Sequence, residues 1–378
     1  MNQKQRVLFL CLSITTLCFN AFSDELGCRN PEGQPVSWWV LVKTPNTLND
    51  YVYRDSKSDS CRDSASCWGA LHHDLSDPDD GPLSLTLQQL YKSKKQDIPG
   101  FLMYNDDTSV GEGSNTHSSY AHAKGVLSTT SNGGFWLIHS VPRFPRQQVG
   151  SEAYKGITDN GRANGQSFLC VSINIEQVKV AISQLLLAHP YIYQSGGFDD
   201  DLKSELGDDL KSLLGDQEVA AKDSQSRTSQ LVATDGTIFT SLIKSRHWGK
   251  ELYADLVSHE LNSDLLVETW NKGQGTLPSS CRIDHNVARD HSVARDHDVA
   301  NVTKVQITSS VQWDNHKDHS KWAVTTENSP SHSVCIGDIN RQNGQKVRGG
   351  GTVCLNDENL WRAFHGMVKD SASCSLDD

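Results

Sequence analysis

A layered α/β architecture held by disulfides is what this sequence predicts, on three observations. Strand-like apolar runs alternate with runs at helical spacing along much of the 378 residues. An even set of eight cysteines follows the amino-terminal segment. A short pattern, histidine and lysine separated by one residue, occurs twice, as His122-Ala123-Lys124 and His319-Ser320-Lys321. The copies lie 197 positions apart (122 to 319), each leading into an apolar run. With a leader removed, roughly 355 residues remain, enough for one large domain or two fused halves.

The leader is residues 1–23. Lys4 and Arg6 make a basic start, and residues 7–19 form a mostly apolar run too short to span a membrane comfortably. Ala21 and Ser23 supply the small residues of a cleavage site. The alternative, an uncleaved anchor, lacks a following stop-transfer pattern. No later apolar stretch approaches ~18 residues, so a soluble mature chain without a membrane anchor is expected. Cys11 and Cys18 leave with the leader. Cys28, Cys61, Cys67, Cys170, Cys281, Cys335, Cys354 and Cys374 remain, and eight cysteines can pair in on the order of a hundred ways. Cys61 and Cys67 would close a natural local loop. The cysteines are scattered, with no Cys-x-x-Cys pair, which argues against zinc and for no metal. Asn301-Val302-Thr303 is a candidate glycosylation sequon.

Charge constrains the partner. The formal net charge is −11, and loss of Lys4 and Arg6 leaves 33 basic against 46 acidic residues, or −13. A polyanion is repelled by such a surface at neutral pH. All 15 histidines follow the leader, however, and protonating each would bring −13 to +2. Histidine changes charge between pH ~5 and ~8. The composition fits a protein that meets an acidic partner in an acidic compartment; the bland alternative is that these are ordinary surface histidines.

Along the chain, residues 36–42 read as a buried strand and residues 46–80 as loops. A short helix is expected over 85–91. Two apolar runs, at 125–127 and 135–138, flank Asn132-Gly133, a hairpin signal that brings His139 close to His122 and Lys124. A strand at 168–173 precedes a helix over 176–188, stopped by His189-Pro190. Residues 196–230 are acidic, with Leu202, Leu206, Leu210 and Leu214 at helical spacing; an exposed helix or mobile insertion is expected there rather than an acidic metal site. Strands at 237–243 and 265–270 flank a helix over 249–260. Residues 285–300 repeat with a period of six, led by His285, His291 and His297. That period matches neither a helix face nor a metal-ligand spacing, so it reads as a duplicated surface loop.

The two His-x-Lys copies carry the chemistry. Side chains of a strand alternate faces, so residues i and i+2 point the same way. Each copy therefore presents an imidazole and an ammonium together. Two such pairs facing one another make a cationic pocket suited to a phosphodiester, with histidines as nucleophile and general acid and lysines on the non-bridging oxygens.

Several blocks resemble the deoxyribonuclease II family. Residues 120–126 (Tyr-Ala-His-Ala-Lys-Gly-Val) and 133–142 (Gly-Gly-Phe-Trp-Leu-Ile-His-Ser-Val-Pro) are similar to its first catalytic block. Residues 318–322, 335–341 and 348–354 are similar to its second, and residues 33–39 to its opening strand. The similarity thins across 46–95, 196–230 and 282–312. The resemblance implies a phospholipase D-like pseudo-dimer of two α/β/α sandwich halves with mixed sheets, about 24–195 and 231–378, with a repeat-containing insertion over 282–312. It implies a secreted or lysosomal acid endonuclease, toxins included, that cuts double-stranded DNA without metal or other cofactor and leaves 3′-phosphate ends. By analogy His122 is the nucleophile and His319 the acid, the reverse remaining open. Lys124 and Lys321 neutralise the phosphate, and His139 and Asn340 orient or hydrogen-bond. The alternatives are a phosphodiesterase acting on lipid or another substrate, disfavoured by the lack of an apolar membrane face, and a silent nucleic-acid-binding paralogue, disfavoured because both motifs are complete.

The same resemblance suggests the pairings Cys28–Cys170, Cys281–Cys374 and Cys335–Cys354, leaving Cys61 with Cys67. Ala323 stands where relatives often carry a further cysteine, so no free thiol is expected. Gly349-Gly350-Gly351 could offer backbone amides to a phosphate beside Arg341 or Arg348, or could form a plain turn.

Overall fold

The computed structural model describes residues 25–45, 49–94, 96–108, 115–147, 149, 154–220, 225–282 and 296–372. Its first sheet runs in the order β2 (Tyr51–Asp55), β1 (Trp38–Lys43), β8 (Gln166–Ile173), β7 (Gly133–His139), β6 (Gly125–Thr130), β3 (Gly100–Tyr104) and β9 (Ile192–Gly196). These neighbours all pair antiparallel. The second runs β10 (Ser226–Val232), β11 (Ile238–Lys244), β17 (Gly350–Asn356), β16 (Ser333–Gly337), β15 (Trp322–Thr325), β12 (Leu265–Glu268), β13 (Val299–Thr308) and β14 (Val311–Asp314). It is mixed, because β12 and β13 pair in parallel. β18 (Val368–Ser371) also pairs with β13, and β4 (Asp107–Thr108) and β5 (Asn115–Thr116) form a small separate ribbon.

Five strands of one sheet repeat five of the other. The order β1-β8-β7-β6-β3 is matched, strand for strand and in chain order, by β11-β17-β16-β15-β12. Helices repeat as well. In the first half, α2 (Gly81–Tyr91) precedes β3 and α4 (Ile175–Ala188) follows β8. In the second, a π-helical stretch (Tyr253–Val257) running into α6 (Ser258–Leu261) precedes β12, and α7 (Glu358–His365) follows β17. The chain is thus an α/β pseudo-dimer of two related halves.

Packing follows from these layers. α4 and α7 lie in the shared core between the sheets, where Val178, Ile182, Leu360 and Phe364 meet Trp38, Trp136, Trp322 and Ile336. On the outer face of the first sheet, Leu83, Leu87 and Leu90 of α2 cover Trp39, Leu41 and Met103. On the outer face of the second, Leu252, Tyr253 and Val257 cover Leu265, Val267 and Ala323. Both faces of each central strand are therefore dry, which is why these strands read as continuous apolar runs.

Local signals explain most boundaries. The Asn174 side chain accepts from Gln177 N to cap α4, and His189 ends it in the left-handed region (φ 56°) before Pro190. The hairpin loop is Ser131-Asn132, since Thr130 pairs with Gly133, and Gly133 (φ 118°) begins the return strand rather than the turn. Three expectations need correction. Residues 46–80 hold β2 and α1 (Ser64–Trp68), the latter capped by Asp63 and packed through Trp68 on Phe364 of the other half. β3 lies in a stretch with no expected element, its apolar run being only five residues long. Within 196–230 the expected helix forms as α5 (Asp200–Leu214), but it buries Leu202, Leu206, Leu210 and Leu213 in the shared core, and β10 extends the second sheet. The helical spacing was the better guide there than the charge. α3 (Asp159–Ala163) precedes β8.

Disulfides join Cys28 to Cys170, Cys61 to Cys67, and Cys335 to Cys354, the last pair directly opposed on β16 and β17. Cys281 is disulfide-bonded too; its expected partner, Cys374, lies outside the described residues. So do the leader and His285 and His291 of the repeat, while His297 sits 3.6 Å from Asp264. Asn301, the sequon residue, is buried in β13, where Nδ2 donates to Leu277 O (2.9 Å) and Oδ1 accepts from the Arg341 guanidinium. The folded chain therefore does not present this amide as a glycan acceptor.

Candidate active site

Each His-x-Lys motif ends where a strand begins. His122 and Lys124 lead into β6, and His319 and Lys321 lead into β15, the equivalent strand. The two motifs meet in one cleft of ≈ 330 Å³ at the junction of the halves. Its walls include His122, Lys124, His319, Lys321, Asn340 and, unanticipated from sequence, Trp270.

Backbone hydrogen bonds lock the motifs across the junction. His122 N donates to Gly349 O, just before β17, and His319 N donates to Gly165 O, just before β8; both distances are 2.9 Å. A Cβ on Gly349 would fall 1.9 Å from Ala188 O, and one on Gly165 would fall 2.5 Å from Asp318 Oδ1. Only glycine permits so close an approach. The triple glycine therefore serves packing: Gly351 N donates to Asp338 Oδ1, and the run opens β17 rather than an anion cradle. Arg341 is held away from the cleft by Asn301 and Ser280, whereas Arg348 lines it.

The two histidines differ in their surroundings. His122 Nδ1 lies 2.6 Å from Asp338 O. A carbonyl only accepts, so Nδ1 carries the proton and Nε2 keeps a free lone pair. Asp106 Oδ2 lies 3.8 Å from that Nε2. Asp106 also accepts from Lys124 and, at 2.9 Å, from Arg348 Nη1. Burial would raise its carboxyl, but Lys124, His122 and Arg348 together hold it well below the usual carboxylate range. The equivalent position in the other half, two residues past β12, is Trp270, whose ring meets His319 edge-on at 4.9 Å. One histidine thus has a carboxylate neighbour and the other an indole.

Charge is concentrated here. Lys124 and Lys321 each donate to the carbonyl of their own histidine, at 3.3 and 2.6 Å. Burial, then Lys124, pushes the Lys321 ammonium down to about 7. Burial, then Lys321 and Lys124, pushes His319 down to about 3. His122 is likewise held well below its ordinary value by burial and Lys124. Burial pushes the Asp338 carboxyl up to about 7 and also raises that of Asp318, which accepts from Trp313 Nε1 (2.7 Å). Lys124, Lys321 and Arg348 against Asp106 and Asp107 leave the cleft lining with an excess of positive charge, suited to an anionic group. Among the described residues, no three histidine, cysteine or carboxylate side chains are grouped to share a metal ion.

Residues 27–374 match the Deoxyribonuclease II family. The chain belongs to that family. It is 31% identical to plancitoxin-1 of Acanthaster planci over 382 residues, covering 97% of this chain and 98% of that one. It is 33% identical to deoxyribonuclease-2-alpha of Rattus norvegicus, covering 93% and 95%. It is 29% identical to deoxyribonuclease-2-beta of Homo sapiens, covering 99% and 100%.

Of the six site residues expected for a deoxyribonuclease II chain, five line the cleft. The sixth, His139, is fully buried behind it, against Phe144 and Phe168. Its backbone N donates to Lys124 O (3.1 Å) and its Nδ1 accepts from Val141 N (3.2 Å). Asn340 is buried at the rim, and its Oδ1 has no hydrogen-bond partner among the described residues. Sequence reasoning missed Asp106 and Trp270. Their signal was positional, a polar or aromatic residue two places past the strand that pairs with each His-x-Lys strand, and it is visible only once β3 and β12 are placed.

Proposed function

We propose that this chain is an acid endonuclease that hydrolyses double-stranded DNA to 3′-phosphate products through one site shared by both halves. The supporting observation is the convergence of two His-x-Lys pairs in a single cationic cleft, with His122 held in the tautomer that leaves Nε2 free to attack.

His122 Nε2 attacks phosphorus and forms the N–P bond. The P–O5′ bond breaks, and His319, protonated, gives its proton to the departing 5′-oxygen. Water then attacks the phosphohistidine, losing its proton to the now neutral His319. The N–P bond breaks, leaving a 3′-phosphate and regenerating both histidines. Lys124 and Lys321 stabilise the charge that grows on the non-bridging oxygens. Asn340 bonds the phosphate, and His139 fixes the 139–142 segment from beneath. Acidity serves twice: it protonates His319 against its two lysine neighbours, and it keeps Asp338 neutral so that the cleft attracts an anion. No step uses a metal ion.

Plasmid cleavage at about pH 5 in chelator, with end-group analysis, tests this reading. Persistent cleavage giving 3′-phosphates supports it. Loss of cleavage in EDTA with restoration by magnesium, or 5′-phosphate ends, overturns it.

A further inference from the structure

Lys43 and Lys244 are the last residues of β1 and β11, the equivalent strands of the two halves. Both are fully buried. Lys43 Nζ donates to the carbonyls of Thr44, Arg162 and Asn164 at 2.7–3.0 Å. Lys244 Nζ donates to those of Gln345, Lys346 and Arg348 at 2.5–2.9 Å. In each half one ammonium thus satisfies three backbone oxygens, and nothing in the reaction above uses it. Burial lowers each ammonium to about 8, which still leaves it charged in acid.

The carbonyls it gathers are the notable part. Asn164 immediately precedes Gly165, and Arg348 immediately precedes Gly349, the two glycines that accept the backbone N–H of His319 and His122. The connection is crossed. Lys43, in the first half, shapes the segment that holds the second half's histidine, and Lys244 does the reverse. Duplication of the same contacts in two places of unlike sequence argues that the device is functional as well as structural.

We propose that Lys43 and Lys244 are positioning residues, each setting the turn that aims the opposite half's histidine at the phosphate. This rests on the roles given above to His122 and His319. Removing the Lys43 ammonium takes the donor from three carbonyls, and removing that of Lys244 takes it from Lys346 O and Arg348 O, Gln345 O keeping Arg348 N. Either change lets the glycine shift, and a displacement of about 1 Å at a reacting group can cost about a hundredfold.

The crossing makes the test specific. DNA with a sulfur at one bridging 5′ position has a thiolate leaving group that departs without a proton. Lys43→Met should lower kcat on ordinary DNA about tenfold to a hundredfold with little change in KM, and recover most of the loss in the single-turnover rate of thiolate release, which reads the first step alone, as His319→Ala should. Lys244→Met should lose activity on both substrates, as His122→Ala should. Lys43→Gln and Lys244→Gln, which retain an amide donor, should give smaller losses in the same pattern and serve where the methionine variants fold poorly. Equal loss for Lys43→Met on both substrates while His319→Ala is rescued, or folded variants of wild-type activity, overturns the proposal. If His319→Ala itself is not rescued, the assignment of the acid fails instead. Imidazole NMR signals then decide the lysine proposal alone: Lys43→Met should move the His319 resonances and Lys244→Met those of His122. Movement of neither, or of the same half's histidine, overturns it.

Discussion

The Nδ1 of His122 and the carbonyl oxygen of Asp338 lie 2.6 Å apart, and the two residues belong to different halves of the chain. The tautomer of His122 is thus fixed by a carbonyl of the other half. The bond therefore ties the chemistry to the docking of the halves, which the shared core between the sheets holds in place.

A site assembled this way should fail as a unit. His122→Ala and His319→Ala should each abolish DNA cleavage in protein that melts as the wild type does, and the double variant should be little worse than either. Plasmid nicking rates with thermal melts check this; a His319→Ala protein near wild-type rate would contradict it.

The acid dependence has a direction. In the proposed reaction His319 is protonated before it acts, and burial with Lys321 and Lys124 holds it down to about 3 in the free protein. A bound phosphodiester offsets the lysine charge and raises it, so kcat should fall at a higher pH than kcat/KM does. Lys321→Met should lower the rate about 10² but move the descending limb of kcat/KM to higher pH. Full pH profiles of both proteins test the sign; a limb that moves to lower pH is the contrary result.

Asp338 should make stability pH-dependent in the opposite sense from an ordinary carboxylate. Its folded value of about 7 exceeds the ~4 of an unfolded chain, so its contribution is fully present below pH ~4 and lost as pH rises through about 7. Asp338→Asn should therefore gain on the wild type between pH 5 and pH 8 in melting temperature. A constant difference would argue against a buried, raised carboxyl.

Much of this was legible in the sequence, for identifiable reasons. His122, Lys124, His319 and Lys321 form a local pattern, each copy at the mouth of a strand, and the four line one cleft. The run 202–214 announced its helix but not its burial, because acidic solvent-facing residues outweighed the leucine stripe in composition. Asp106 and Trp270 were illegible because their role depends on which strands become neighbours, a long-range pairing that no local pattern encodes. His139 read as a site residue from the family resemblance as well as from its place in the hairpin, and its ring lies behind the cleft against Phe144 and Phe168.

Asn301 illustrates the same limit, since its sequon is local and its burial is not. Asn301→Ala should destabilise the fold by roughly 1–3 kcal/mol, because it removes a bond to the buried Arg341 guanidinium and leaves Leu277 O without its amide donor. Urea unfolding midpoints measure this; an unchanged midpoint would show that the pair contributes nothing.

The central claim, nucleophilic attack by His122 within a site built from both halves, is tested most directly by trapping the covalent species. DNA carrying labelled phosphates should be mixed with enzyme at acid pH, quenched into alkaline denaturant during turnover, and the protein mapped by peptide. Label, with attached 3′-nucleotide, should appear on the peptide containing His122, and none in His122→Ala. Label on the peptide containing His319, or none on any histidine while turnover proceeds, would contradict it.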